Sequence, residues 1–120
     1  MRHRLILAAA LAGAALISSP ASAEPDASTF LQRIDQGGAQ GEIAKHTLSA
    51  YENGLGWANA HLENEGQRRL YCPPGQLALT PDQVVDIFRR FVARNPEAGN
   101  SPAGMVLLFA LQDTFPCPAT

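Results

Sequence analysis

Hydrophobic and polar positions divide the chain into one unbroken apolar run and four stretches with helical spacing. Leu5 to Ile17 is the run, 13 apolar or small residues. A short helix follows through Phe30, Leu31 and Ile34, with Asp26 or Ser28 as its cap. Asp35-Gln36-Gly37-Gly38 ends it, because paired glycines break helices. Gly41 opens a second, longer helix with apolar positions at Ile43, Thr47/Leu48, Tyr51, Leu55, Ala58 and Leu62. From Leu48 onward the steps are 3, 4, 3, 4, which is one helix face. Gly54 and Gly56 each weaken that helix by about 1 kcal/mol, and they permit a neighbouring backbone to come close. Asn64-Glu65-Gly66 closes it, with Gly66 suited to the residue just past a helix end.

Gln67 to Leu79 reads as a loop stiffened by Cys72-Pro73-Pro74-Gly75. Thr80-Pro81-Asp82-Gln83 is a helix start: Thr80 caps, Pro81 takes the first helical position, and Gln83 completes a capping box. This third helix runs to about Arg94 and buries Val84, Ile87, Phe88, Phe91 and Val92. Asp86, Arg89, Arg90 and Arg94 point away, with Asp86–Arg89 and Asp86–Arg90 at ion-pair spacing. Asn95-Pro96 stops the helix. Ser101-Pro102 repeats the cap-then-proline signal, and the last helix spans Ala103 to about Asp113. Val106 to Leu111 is apolar all round, so this helix is expected at the centre. No strand alternation or repeat is found. The pattern predicts an all-α bundle of about four helices, the last two forming a hairpin.

The apolar run gains meaning from its flanks. Arg2, His3 and Arg4 precede it, and Ser18-Ser19-Pro20 breaks it before Ala21-Ser22-Ala23, an A-x-A cleavage site. The run is shorter than the roughly 20 residues of a membrane span. Residues 1–23 are therefore expected to be a cleaved signal peptide, residues 24–120 one helical domain, and the destination the periplasm. Losing Arg2 and Arg4 lowers the 9 Lys+Arg to 7 against 11 Asp+Glu, a net charge of −4. A mildly acidic chain without a basic cluster argues against nucleic acid and against a membrane after signal cleavage. Cys72 and Cys117 are the only cysteines. In an exported chain an even pair reads as a disulfide. Such a bridge closes a loop of about 46 residues and stabilises by about 4 kcal/mol in the chain-entropy account. Free thiols or a metal pair are the alternatives, and no further ligands flank the two residues.

Catalytic motifs are missing. His46 and His61 stand outside metal-ligand spacing, no G-x-S-x-G or C-x-x-C occurs, and Gly54-x-Gly56 follows no strand. Trp57 and Tyr51 are read as core residues with a polar edge at the surface, ahead of a ligand groove. Arg68-Arg69 beside Tyr71 is either a recognition patch or a solvated pair.

Cys72-Pro73-Pro74, the capped helix Thr80–Arg94, Asn95-Pro96-Glu97, Ser101-Pro102-Ala103 and Phe115-Pro116-Cys117 stand in a characteristic order. In this the chain resembles the Rap/Tai family of resistance-associated and type VI amidase immunity proteins. The resemblance is strongest over Tyr71–Cys117 and extends weakly through Tyr51-x-x-Gly54 and Trp57–Ala60. It implies a small helical, disulfide-bonded periplasmic protein that blocks a peptidoglycan amidase effector, with no catalysis and no cofactor. It also implies that Cys72 and Cys117 form the bridge, that Pro96 stops a helix, and that Phe115 serves packing. Family members often form homodimers, and the apolar helix faces allow one here. Characterised members usually carry a second cysteine pair near the N-terminus, which this chain lacks. The candidate plugging loops are Arg94–Ser101 and Glu65–Gly75, with Arg68, Arg69, Asn95, Glu97 and Asn100 as the candidate partner contacts.

Two other functions compete. A small periplasmic chaperone would bind promiscuously through exposed apolar surface. A small enzyme would need His46 or His61 beside a carboxylate in a groove.

Overall fold

Asp26 starts the first helix as the sequence suggests. Its carboxylate accepts from the Thr29 N–H at 2.8 Å, and α1 runs Ala27–Gln36. In the computed structural model residues 24–75 and 77–119 are described, so the expected signal peptide lies outside the described residues. Gly37 and Gly38, both at positive φ, turn the chain within two residues. The next helix therefore begins at once: α2 spans Gly38–Asn64, three residues ahead of the expected start at Gly41. Gly66, at φ 69°, sits just past its end.

The buried side of α2 carries Gly41, Ala44, Leu48 and Asn59, with Tyr51 and Leu55 half-buried between them. Ile43 is out of phase with this stripe and is 57% exposed. Close backbone approach falls at Gly41, not at Gly54 or Gly56. A Cβ on Gly41 would stand 2.9 Å from the Arg33 carbonyl oxygen, whereas one on Gly54 would meet nothing within 4 Å. Tyr51 stacks at a tilt on Phe30, ring centroids 6.1 Å apart, which fits its expected place at the edge of the core.

α3, Pro81–Arg94, has the full capping box. Gln83 N–H donates to the Thr80 hydroxyl at 3.2 Å, and Thr80 N–H donates to the Gln83 side chain at 2.9 Å. Val84, Val85, Ile87 and Phe88 are buried. Asp86 and Arg90 form the expected surface pair at 3.4 Å. Arg89 instead reaches across to Asp35 on α1 with two hydrogen bonds, 2.7 and 3.2 Å. Asn95 ends the helix, and Pro96–Asn100 continues as a 3-10 turn.

α4, Ala103–Thr114, buries Ala103, Val106, Leu107, Ala110 and Leu111. It is central, but not on every side: Met105 and Phe109 are each 43% exposed. Ser101 supplies no side-chain cap; Pro102 holds the cap position. The Glu24 carboxylate does the work from a distance by accepting from the Gly104 N–H. Two backbone bonds flank it, Ala103 N–H to Pro25 O at 3.2 Å and Ala27 N–H to Ser101 O at 3.0 Å.

The core joins all four helices through Phe30, Leu48, Phe88, Leu107 and Leu111. Each large side chain buried here contributes about 1.5–3 kcal/mol. The described residues form an all-α bundle with one isolated bridge, Asp26 to Pro102. Cys72 and Cys117 are disulfide-bonded, tying the segment before α3 to the tail after α4. The α3–α4 hairpin is thereby closed at its open end. Among the described residues no helix is long and apolar enough to cross a membrane.

Candidate functional site

Glu52, Gly56, Ala60 and Glu63 recur at steps of four, four and three along α2, so they share one stripe. Opposite that stripe lie Tyr71, Pro73, Leu77 and Leu79. Between them lies a cleft of about 220 Å³, closed at one end by Phe115 and edged by Arg69. It continues past Trp57 between α2 and Leu77–Leu79.

The segment facing α2 is held rigidly. Asn59 is buried on α2; its side-chain amide donates to the Tyr71 carbonyl at 2.9 Å, and its oxygen accepts from the Leu70 N–H at 2.7 Å. Gln112 on α4 donates to the Leu70 carbonyl at 3.1 Å. Cys72, itself half of the disulfide, donates its N–H to the Phe115 carbonyl at 2.8 Å. The loop Glu65–Gly75 is thus pinned to α2 and to the end of α4 at once. Its exposed part is Glu65, Gly66, Gln67, Arg68, Pro74 and Gly75, while Arg69 is partly buried along the cleft.

The electrostatics of the cleft are uneven. Burial pushes the Glu52 carboxyl above its ordinary range. Burial, together with the Glu52 charge, pushes the Tyr71 hydroxyl up to about 12. Trp57 is 78% exposed, the most open of the large apolar side chains. This corrects its expected place in the core. Trp57 is two residues from Leu55 and so lies about 200° around the helix from the buried side.

The second candidate loop sits elsewhere. Asn95, Glu97 and Asn100 lie at the α3–α4 turn, about 20 Å along the hairpin from the disulfide end that carries Arg68 and Arg69. Asn95 is partly committed, since its side chain donates to the Phe91 carbonyl at 3.0 Å and finishes α3. Gly99 is buried against Ser28 of α1. Arg94 pairs with Asp113 on α4. Glu97 and Asn100 are exposed.

His46 and His61 are both exposed on α2, 15 residues or about 22 Å apart. His46 lies 3.8 Å from Glu42, and neither histidine lines the cleft. Among the described residues no three His, Cys, Asp or Glu side chains gather as a metal site.

A family model, that of the Rap1a immunity proteins, matches residues 26–117. The chain belongs to the Rap1a immunity protein family. The match runs from the α1 cap, Asp26, to the second half of the disulfide, Cys117, and so takes in the whole helical unit. No curated protein and no solved structure gives a significant match. Membership makes this an immunity-type protein, and the family implies a protein effector as its partner. For such a protein the relevant geometry is a rigid, accessible surface, and the pinned loop with its adjoining cleft supplies one.

Asn59, Glu52 and Leu77 were not singled out from the sequence. A signal existed for Asn59: asparagine is a poor helix former in the middle of a long helix unless its side chain is engaged. Leu77 had none, because nothing in the sequence says which loop residues lie against α2.

Proposed function

We propose that this chain is exported through the signal peptide 1–23 and acts in the periplasm as an immunity protein. Its partner is a peptidoglycan amidase effector delivered by type VI secretion. The observation that carries the reading is the Rap1a immunity family match over residues 26–117. The apolar run ahead of A-x-A and the disulfide in the same chain support an oxidising, extracytoplasmic location.

The loop Glu65–Gly75, with Arg68 and Arg69, is the surface assigned to the effector. Its four fixed hydrogen bonds mean that little ordering entropy is lost on binding. Asn95, Glu97 and Asn100 form a second contact set at the far end of the α3–α4 hairpin. The exposed pair Met105 and Phe109 on α4 marks the surface on which a homodimer would form.

The test is co-purification with a panel of type VI effectors, followed by assay of their peptidoglycan hydrolysis. Stoichiometric inhibition is expected, and Arg68→Ala/Arg69→Ala should weaken it. A complex with an effector that is not an amidase would remove the amidase assignment alone. No complex and no inhibition across a panel of type VI amidases would defeat the reading.

A further inference from the structure

The part of the cleft beside Trp57 combines three features rarely found together on a free surface. Trp57 presents a large aromatic side chain to solvent at 78% exposure. Glu52, five residues earlier and about 140° around α2, lines the opposite edge of the same opening and is partly buried. Leu77, Leu79 and Ala60 complete an apolar floor, in an opening of about 370 Å³.

Each feature asks for the same complement. An exposed indole attracts a cation to its face. A carboxylate whose charge is disfavoured by burial is stabilised by a cation brought beside it. Apolar walls favour a side chain that brings a hydrocarbon stem behind its charge. A guanidinium satisfies all three better than an ammonium, because it stacks flat on an aromatic ring and gives a carboxylate two parallel N–H donors. Exposed tryptophan in a preformed pocket is also the residue type on which interface energy concentrates.

We propose that this groove receives an arginine-bearing apolar segment of the effector, its guanidinium held between the Trp57 ring and the Glu52 carboxylate. The neighbouring side chains of that segment lie along Leu77 and Leu79. The proposal deepens the effector-binding reading and rests on it, so its test has one arm that needs the effector and one that does not.

In the first arm, effector affinity is measured by calorimetry for the mature protein, for Glu52→Gln and for Trp57→Ala. Each variant is expected to bind at least tenfold more weakly. Because burial already disfavours the Glu52 charge, Glu52→Gln should melt at the same temperature as the parent or higher at pH 7, so a loss of affinity cannot be ascribed to unfolding. Variants that bind within twofold of the parent would overturn the groove assignment and leave the immunity function standing. In the second arm, the emission of Trp57, the only tryptophan in the chain, is followed during titration with acetyl-Leu-Arg-Leu-amide and its Leu-Gln-Leu counterpart. The arginine peptide should shift the emission saturably, at least fivefold tighter than the glutamine peptide, and Glu52→Gln should erase the difference. Equal responses, or none, would overturn the proposal independently. If the parent protein binds no effector, the immunity reading falls in the first arm, and the second still decides whether the groove selects arginine.

Discussion

The side chain of Asn59 holds the backbone of Tyr71: its amide donates to the Tyr71 carbonyl at 2.9 Å from within the core. With the second bond, from Leu70 N–H to the Asn59 oxygen, one residue of α2 holds the loop backbone at Leu70 and Tyr71. Replacing it strands two polar backbone groups.

Asn59→Ala should therefore cost about 2–4 kcal/mol, the sum of two unmet buried backbone partners at roughly 1–2 kcal/mol each. Chemical denaturation measures the loss. Amide exchange should accelerate first at Leu70 and Tyr71, while α3 and α4 keep their relative protection. Uniform acceleration through the whole bundle would show that Asn59 serves the core and not the loop.

Cys72 and Cys117 are bonded across a sequence separation of 45. The double replacement Cys72→Ala/Cys117→Ala should cost about 2–5 kcal/mol. In a domain of this size that lowers Tm by at least about 10 °C. Adding reductant to the parent protein should give a comparable fall, and calorimetry with and without reductant checks it. Because the bridge anchors Arg69 and Cys72 beside Phe115, effector affinity should fall along with stability.

Two glycines of α2 should respond in opposite directions. Gly41→Ala places a Cβ 2.9 Å from the Arg33 carbonyl, a backbone atom that cannot rotate away, and should destabilise by about 1–3 kcal/mol. Gly54→Ala meets nothing within 4 Å and removes a weak helix former, so it should stabilise by about 0.5–1 kcal/mol. Thermal melts of the two single variants decide the matter.

Acid should loosen the junction between α1 and α3. The Arg89 guanidinium hydrogen-bonded to Asp35 holds that carboxyl below its ordinary value of 3.8. The Thr29 N–H does the same for Asp26 at the α1 cap. A carboxyl depressed in the folded state contributes stability above its unfolded value and loses it as pH falls through the folded value. Tm should decline from about pH 5 to about pH 2. Asp35→Asn should show a shallower decline, with α1 amides the most affected. An identical slope in the variant would remove Asp35–Arg89 from the acid response.

Much of the bundle was legible in the sequence because its signals are local. Thr80, Pro81 and Gln83 start α3 through contacts within four residues, and Gly37-Gly38 stops α1 through backbone freedom alone. Leu48, Tyr51 and Leu55 lie toward the core because helix periodicity is the same in any environment. The family frame, with cysteines at 72 and 117 around a capped helix, was legible for the same reason. Less of the candidate site could be read. Arg68 and Arg69 stand out in the sequence as a recognition patch or a solvated pair, but the cleft that Arg69 edges joins residues from 52 to 115.

The sequence by itself determined the helices, the caps of α1 and α3, the all-α class and the family, since each follows from short-range geometry or from an ordered set of motifs. Only the tertiary structure decided that Glu24 caps α4, that Arg89 seeks Asp35 and not Asp86, that Trp57 faces solvent, and that Asn59 holds the loop. These are contacts between groups distant in sequence. Which partner a buried or charged side chain meets depends on how helices with several acceptable faces settle against one another, and that choice is made by burial of the whole core.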